Sequence, residues 1–63
     1  MVRRTVIRRD NTEVTIITDR NGTREEWADG RPGSTWGSDR HDEVVARHIR
    51  QGGVVISNQT TPY

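Results

Sequence analysis

A chain of 63 residues without cysteine has room for one small domain whose hydrophobic core is barely self-sufficient, and it excludes disulfides and thiolate metal sites. Seven Val and five Ile are the only members of the Leu, Ile, Val and Phe set, 12 of 63 residues and near the composition at which chains fail to fold, yet the net charge of +1 lacks the self-repulsion typical of disordered chains. There is no signal-peptide-like apolar run at the N-terminus and no apolar stretch of about 18 residues, so a cytoplasmic protein with no membrane role is expected.

Residues 2–9 mix β-branched side chains with arginine. Strand alternation sets Val2, Arg4, Val6 and Arg8 on one side against Arg3, Thr5, Ile7 and Arg9 on the other. Asp10, Asn11 and Thr12 form a polar turn cluster, and the β-rich run that follows predicts a hairpin. Asn21-Gly22 is the pair that tolerates positive φ at both centres of a type I′ turn, which joins residues 16–20 to 23–27. Three Gly, one Pro and Trp36 make residues 28–37 a loop, with Trp36 pinning it to the core. Gly30-Arg31-Pro32-Gly33 lacks the spacing of a phosphate-binding loop and reads as a turn.

A helix follows, with Ser38 or Asp39 as its N-cap, Asp42 and Glu43 in the first turn, Arg47 and Arg50 near the end, and Gly52-Gly53 as the stop. Its apolar stripe is Val44, Val45 and Ile49. Residues 54–56 supply a fourth strand after the helical crossover. The expected architecture is α+β: a small β-β-β-α-β domain over residues 1–57, with a mainly antiparallel four-stranded sheet and one helix packed on one face. Residues 58–63 are expected to be a flexible polar tail. A three-stranded sheet followed by a helix is also the topology of some integrase arm-binding domains and plant-type DNA-binding domains. No motif of either matches residue by residue, so no site is carried over.

Nothing in the chain points to catalysis: the acids lack a recognisable pair spacing and there are two histidines, His41 and His48. Seven residues separate them, not the four that pair two imidazoles on one metal, so neither a metal nor a cofactor is expected. His41 reads as a solvated first-turn residue and His48 as a boundary residue against the sheet. Arginine supplies all ten basic residues, matching the bias of a GC-rich genome, and charge is polarised: Arg3, Arg4, Arg8 and Arg9 give +4 in the first nine residues, leaving six Arg against nine acids, or −3. These four, with Arg20, Arg24 and Arg31, predict an Arg-rich sheet face that contacts nucleic acid, Trp27 and Trp36 being stacking surfaces. The expected function is a small non-enzymatic regulatory protein of the phage or mobile-element accessory kind, DNA binding in the first instance. The alternative is a protein-binding module or inhibitor, and a lone helix on a sheet also predicts a homodimer.

Overall fold

The computed structural model describes residues 1–62. Five strands, β1 (Val2–Arg9), β2 (Thr12–Asp19), β3 (Gly22–Trp27), β4 (Thr35–Trp36) and β5 (Val54–Thr61), form one sheet in the order β4-β3-β2-β1-β5. Every neighbouring pair is antiparallel. The helix α1 (His41–Arg50) lies on one face. The expected α+β class and single helix hold, while the sheet has five strands instead of four. The extra one is β4, a two-residue strand inside the expected loop, held by pairing of Thr23 with Trp36 and Arg24 with Thr35.

Both tight turns are explained by local chemistry. Arg9 pairs with Thr12, so Asp10 and Asn11 are the two turn residues, at φ 53° and 62°; these are the residue types that enter the left-handed region at least cost. At the second hairpin Asp19 pairs with Gly22, so the turn centres are Arg20 and Asn21, and of that group only Gly22 has positive φ, at 125°. The expected type I′ turn at Asn21-Gly22 is therefore replaced by a turn one residue earlier whose two centres have negative φ. Asp19 Oδ1 accepts the Asn21 N–H at 2.8 Å and holds the turn in that register. Glycine is needed at position 22 for a second reason: an added Cβ would stand 2.1 Å from the carbonyl oxygen of Trp36 on β4.

The helix begins where Asp39 Oδ1 accepts the His41 N–H at 3.0 Å, and Thr23 Oγ1 of β3 takes the Arg40 N–H at 3.0 Å. It ends in a Schellman arrangement, with Gly53 N–H donated to the His48 carbonyl, Gly52 N–H donated to the Ile49 carbonyl, and Gly52 at φ 97°. The following strand runs past the expected residues 54–56 to Thr61, so residues 58–61 of the expected tail pair with β1. A bulge leaves Ile56 unmatched between Val55 opposite Ile7 and Ser57 opposite Val6.

Between helix and sheet the apolar core is small: Ile7, Val14, Ile16 and Val44, with Trp27, Trp36 and Val45 packed around it. The helix turns His41, Val44 and His48 inward, and Ile49 of the expected stripe is 47% exposed. Thr5, Thr18, Thr23, His41 and His48 are buried beside the apolar residues. A chain poor in aliphatic residues thus completes its interior with hydrogen-bonded polar ones. Among the described residues no helix is long and apolar enough to cross a membrane.

Candidate functional site

Two histidines stitch α1 to the sheet. His41 is 1% exposed, with Nε2 2.8 Å from Thr5 Oγ1 and Nδ1 2.8 Å from Thr18 Oγ1. Thr5 donates its hydroxyl hydrogen to Asn58 Oδ1 at 2.9 Å, so Nε2 must be the donor toward Thr5. In neutral His41 the bare Nδ1 then accepts from Thr18, and Thr18 accepts from Thr23 at 2.8 Å. One directed chain results, from the Arg40 N–H through Thr23, Thr18, His41 and Thr5 to Asn58 on β5. Burial pushes the His41 pKa below the ordinary histidine value, helped by the nearby Arg3 cation and opposed by Asp42 and Asp39. His41 is therefore a core residue and not the solvated one expected, because its two ring nitrogens satisfy strand threonines.

His48 sits one helix-face repeat further along. Arg9 donates to its Nδ1 at 2.9 Å; arginine cannot accept, so His48 donates its Nε2–H to Glu25 Oε2 at 2.6 Å. The other Glu25 oxygen accepts the Ser34 N–H at 3.1 Å, which ties the β3–β4 loop to the same cluster. Trp27 meets the His48 ring edge-on at 5.6 Å, while the Arg31 guanidinium lies 4.3 Å and that of Arg9 5.8 Å from the Trp27 ring centre. Arg9 also donates to Gln51. Its Nε, 3.3 Å from Asp10, lacks the alignment of a hydrogen bond and is a buried donor without one. The histidines hold no third partner of metal-binding type: among the described residues no group of three His, Cys, Asp or Glu is placed to bind an ion.

The arginines read from the sequence are divided rather than gathered. Arg3 and Arg9 belong to the helix side of β1, with Arg3 3.0 Å from Asp42. Arg4, Arg8 and Arg24 point to the open face, where Arg8 reaches Glu13 directly across the strand pair at 3.1 Å and Arg24 reaches Asp19 and Glu26 at 3.4 Å each. Arg31 is held by Asp29 at 2.8 Å, and its guanidinium in turn keeps the Asp29 carboxyl below the usual carboxylate range. Arg4 and Arg20 are without a carboxylate partner among the described residues. Trp36 carries Arg47 at 5.6 Å, so both indole rings already have cationic neighbours.

One surface was read only in part from the sequence. β5 is an edge strand of eight residues with no further strand beyond it among the described residues, and Val54, Val55 and Ile56 are 62%, 40% and 44% exposed. It bears no charged residue, and residues 51–63 have none in a chain that is 30% charged. Its signal in the sequence was that neutral run, which was read as a short strand and a tail. No protein-family model, curated protein or solved structure matches the chain. Fold and surface together define an α+β domain with a single helix on an antiparallel sheet, closed by a two-residue edge on one side and open at an eight-residue edge on the other.

Proposed function

We propose that this chain is a small non-enzymatic binding module of the cytoplasmic accessory kind, which takes an extended polypeptide onto the outer edge of β5. The observation that carries this reading is the contrast between the two sheet edges. Proteins blunt free edges by shortness, charge or proline, and β4 is short, whereas β5 is long, uncharged and free of proline over Val54–Thr61. Such an edge offers main-chain hydrogen bonds for affinity and the exposed Val54, Val55 and Ile56 for side-chain contact. A second copy of the chain is one such polypeptide.

DNA binding through the open sheet face is a second reading, favoured by Arg4 and Arg20, which have no carboxylate partner among the described residues. Against it, Arg3, Arg8, Arg9, Arg24 and Arg31 are engaged within the protein. Isotope-labelled protein titrated with a neutral alternating threonine–valine peptide, and separately with mixed-sequence DNA at about 50 and 200 mM salt, separates the two. Peptide-induced shifts confined to β5 support the edge reading. A complex with DNA that weakens by orders of magnitude over that salt range, without β5 shifts, replaces it by the second.

A further inference from the structure

We infer that the occupant of the β5 edge is a second copy of this chain, paired β5 to β5 in antiparallel orientation about a two-fold axis, which makes one continuous sheet of twice five strands; the inference rests on the edge-docking reading above.

Charge separates a second copy from an unrelated strand. In a two-fold antiparallel interface residue i of β5 faces residue j of the same strand and j faces i, so a charge beside the axis meets its own duplicate and a charge farther out needs its complement at the mirrored position. An unrelated partner imposes no such condition, because it can carry the complementary sign. β5 is uncharged throughout its eight residues in a chain where nearly one residue in three is charged. A strand with no charge meets that condition in every register.

The helix supplies a second observation. Arg47 lies over Trp36, toward β4, whereas Asp42 reaches Arg3 on β1. At about 100° per residue, Val45 and Ile49 fall on the Asp42 flank, which faces the β1–β5 side of the sheet. Ile49 is 47% exposed there. Antiparallel edge pairing needs a two-fold axis perpendicular to the sheet, which keeps both helices on one face and turns their Ile49 flanks toward each other above the seam. The exposed apolar residues of β5 and α1 are thereby served by one operation.

Eight residues at about 3.4 Å each make an edge about 27 Å long, and with a width of about 15 Å each copy buries about 400 Å², half of what a standard interface takes. Association is therefore concentration dependent, in the micromolar range or weaker. Sedimentation equilibrium of the full chain from about 10 μM to about 1 mM is expected to show the mass rising from 7.2 kDa toward twice that value. Ile56→Lys is expected to stay at the monomer mass over the whole range, while Thr35→Glu on the opposite edge behaves as the parent. Amide exchange of the unmodified protein, which does not depend on a variant folding, is expected to slow in β5 alone as concentration rises. A monomer at every concentration, or a dimer whose β5 exchange ignores concentration, overturns the inference. If that monomer still shows β5 shifts with the threonine–valine peptide, the second copy is wrong and the edge reading stands; if it shows none, both fall.

Discussion

His48 and Glu25 meet at 2.6 Å across the helix–sheet seam with their side chains only 5% and 9% exposed, and Arg9 holds the opposite side of the imidazole. The cluster is one unit: an arginine, a histidine and a carboxylate whose last oxygen anchors the β4 loop through Ser34. Removing one member of a buried charged set leaves the others unpaired, which costs more than the set gains from forming.

Glu25→Ala is therefore expected to destabilise the fold by about 3 kcal/mol, whereas Glu25→Gln, which retains an acceptor for the His48 N–H, costs about 1 kcal/mol. A domain of this length has a total stability of about 3–9 kcal/mol. Glu25→Ala thus brings the protein close to unfolding at room temperature. Urea titration followed by circular dichroism measures both, and equal losses for the two variants would show that a neutral acceptor does not replace the carboxylate beside His48.

Gly22 gives a test at the other end of the sheet. Its φ of 125° and the carbonyl of Trp36 in the space a Cβ would fill act together, so Gly22→Ala is expected to cost about 2–3 kcal/mol and to detach β4 first. Loss of the cross-strand signals between Thr23 and Trp36 in NMR, with those between β1 and β2 intact, is the expected outcome.

Much of the fold was legible in the sequence because its strongest signals are local. Both hairpins, the helix, the glycine stop and the return strand follow from alternation, turn chemistry and capping. What was missed depends on partners distant in sequence. Thr5, Thr18 and Thr23 share the alternation face of Ile7 and Ile16, and His41 and His48 share the helix face of Val44, yet nothing local says that a threonine and a histidine 36 residues apart will hydrogen-bond and become core. β4 was illegible for the same reason: two residues carry no periodicity, and their place is set by pairing with Thr23 and Arg24, by the close approach over Gly22 and by the Ser34–Glu25 contact. The arginines do not gather on one face because alternation splits β1 between two faces, and acids elsewhere in the chain engage most of them.

Ile17 shows how the open face is covered. It is 4% exposed although it lies away from the helix, in the row Arg4, Ile17, Arg24. Arg4 and Arg24 flank it across the two neighbouring strands, and arginine is a residue type whose aliphatic stem can cover an apolar neighbour while its head stays in water. Ile17→Ala is expected to cost about 2–4 kcal/mol, against about 0.5 kcal/mol or less for Val54→Ala on the exposed edge. Measured by urea unfolding of dilute protein, similar losses at the two positions would mean that the arginine stems do not shield Ile17.

The last expectation concerns acid. Because the His41 pKa is lowered in the folded state, through burial first and the Arg3 charge second, the unfolded chain binds this proton more readily than the folded one. Stability contributed by His41 is then fully present above the unfolded value of about 6.5 and is lost as pH falls through that value toward the folded one. The hydrogen-bond chain gives the structural counterpart. A protonated Nδ1 must donate to Thr18, Thr18 must then donate to Thr23, and Thr23, which already accepts from the Arg40 N–H, is left with a buried hydroxyl hydrogen that has no acceptor among the described residues. Thermal unfolding midpoints are expected to fall below about pH 6.5, with the fall reduced in His41→Gln. The His41 ring signal in NMR should titrate below the ordinary histidine value, and a ring that titrates above it would reverse the sign of the whole argument.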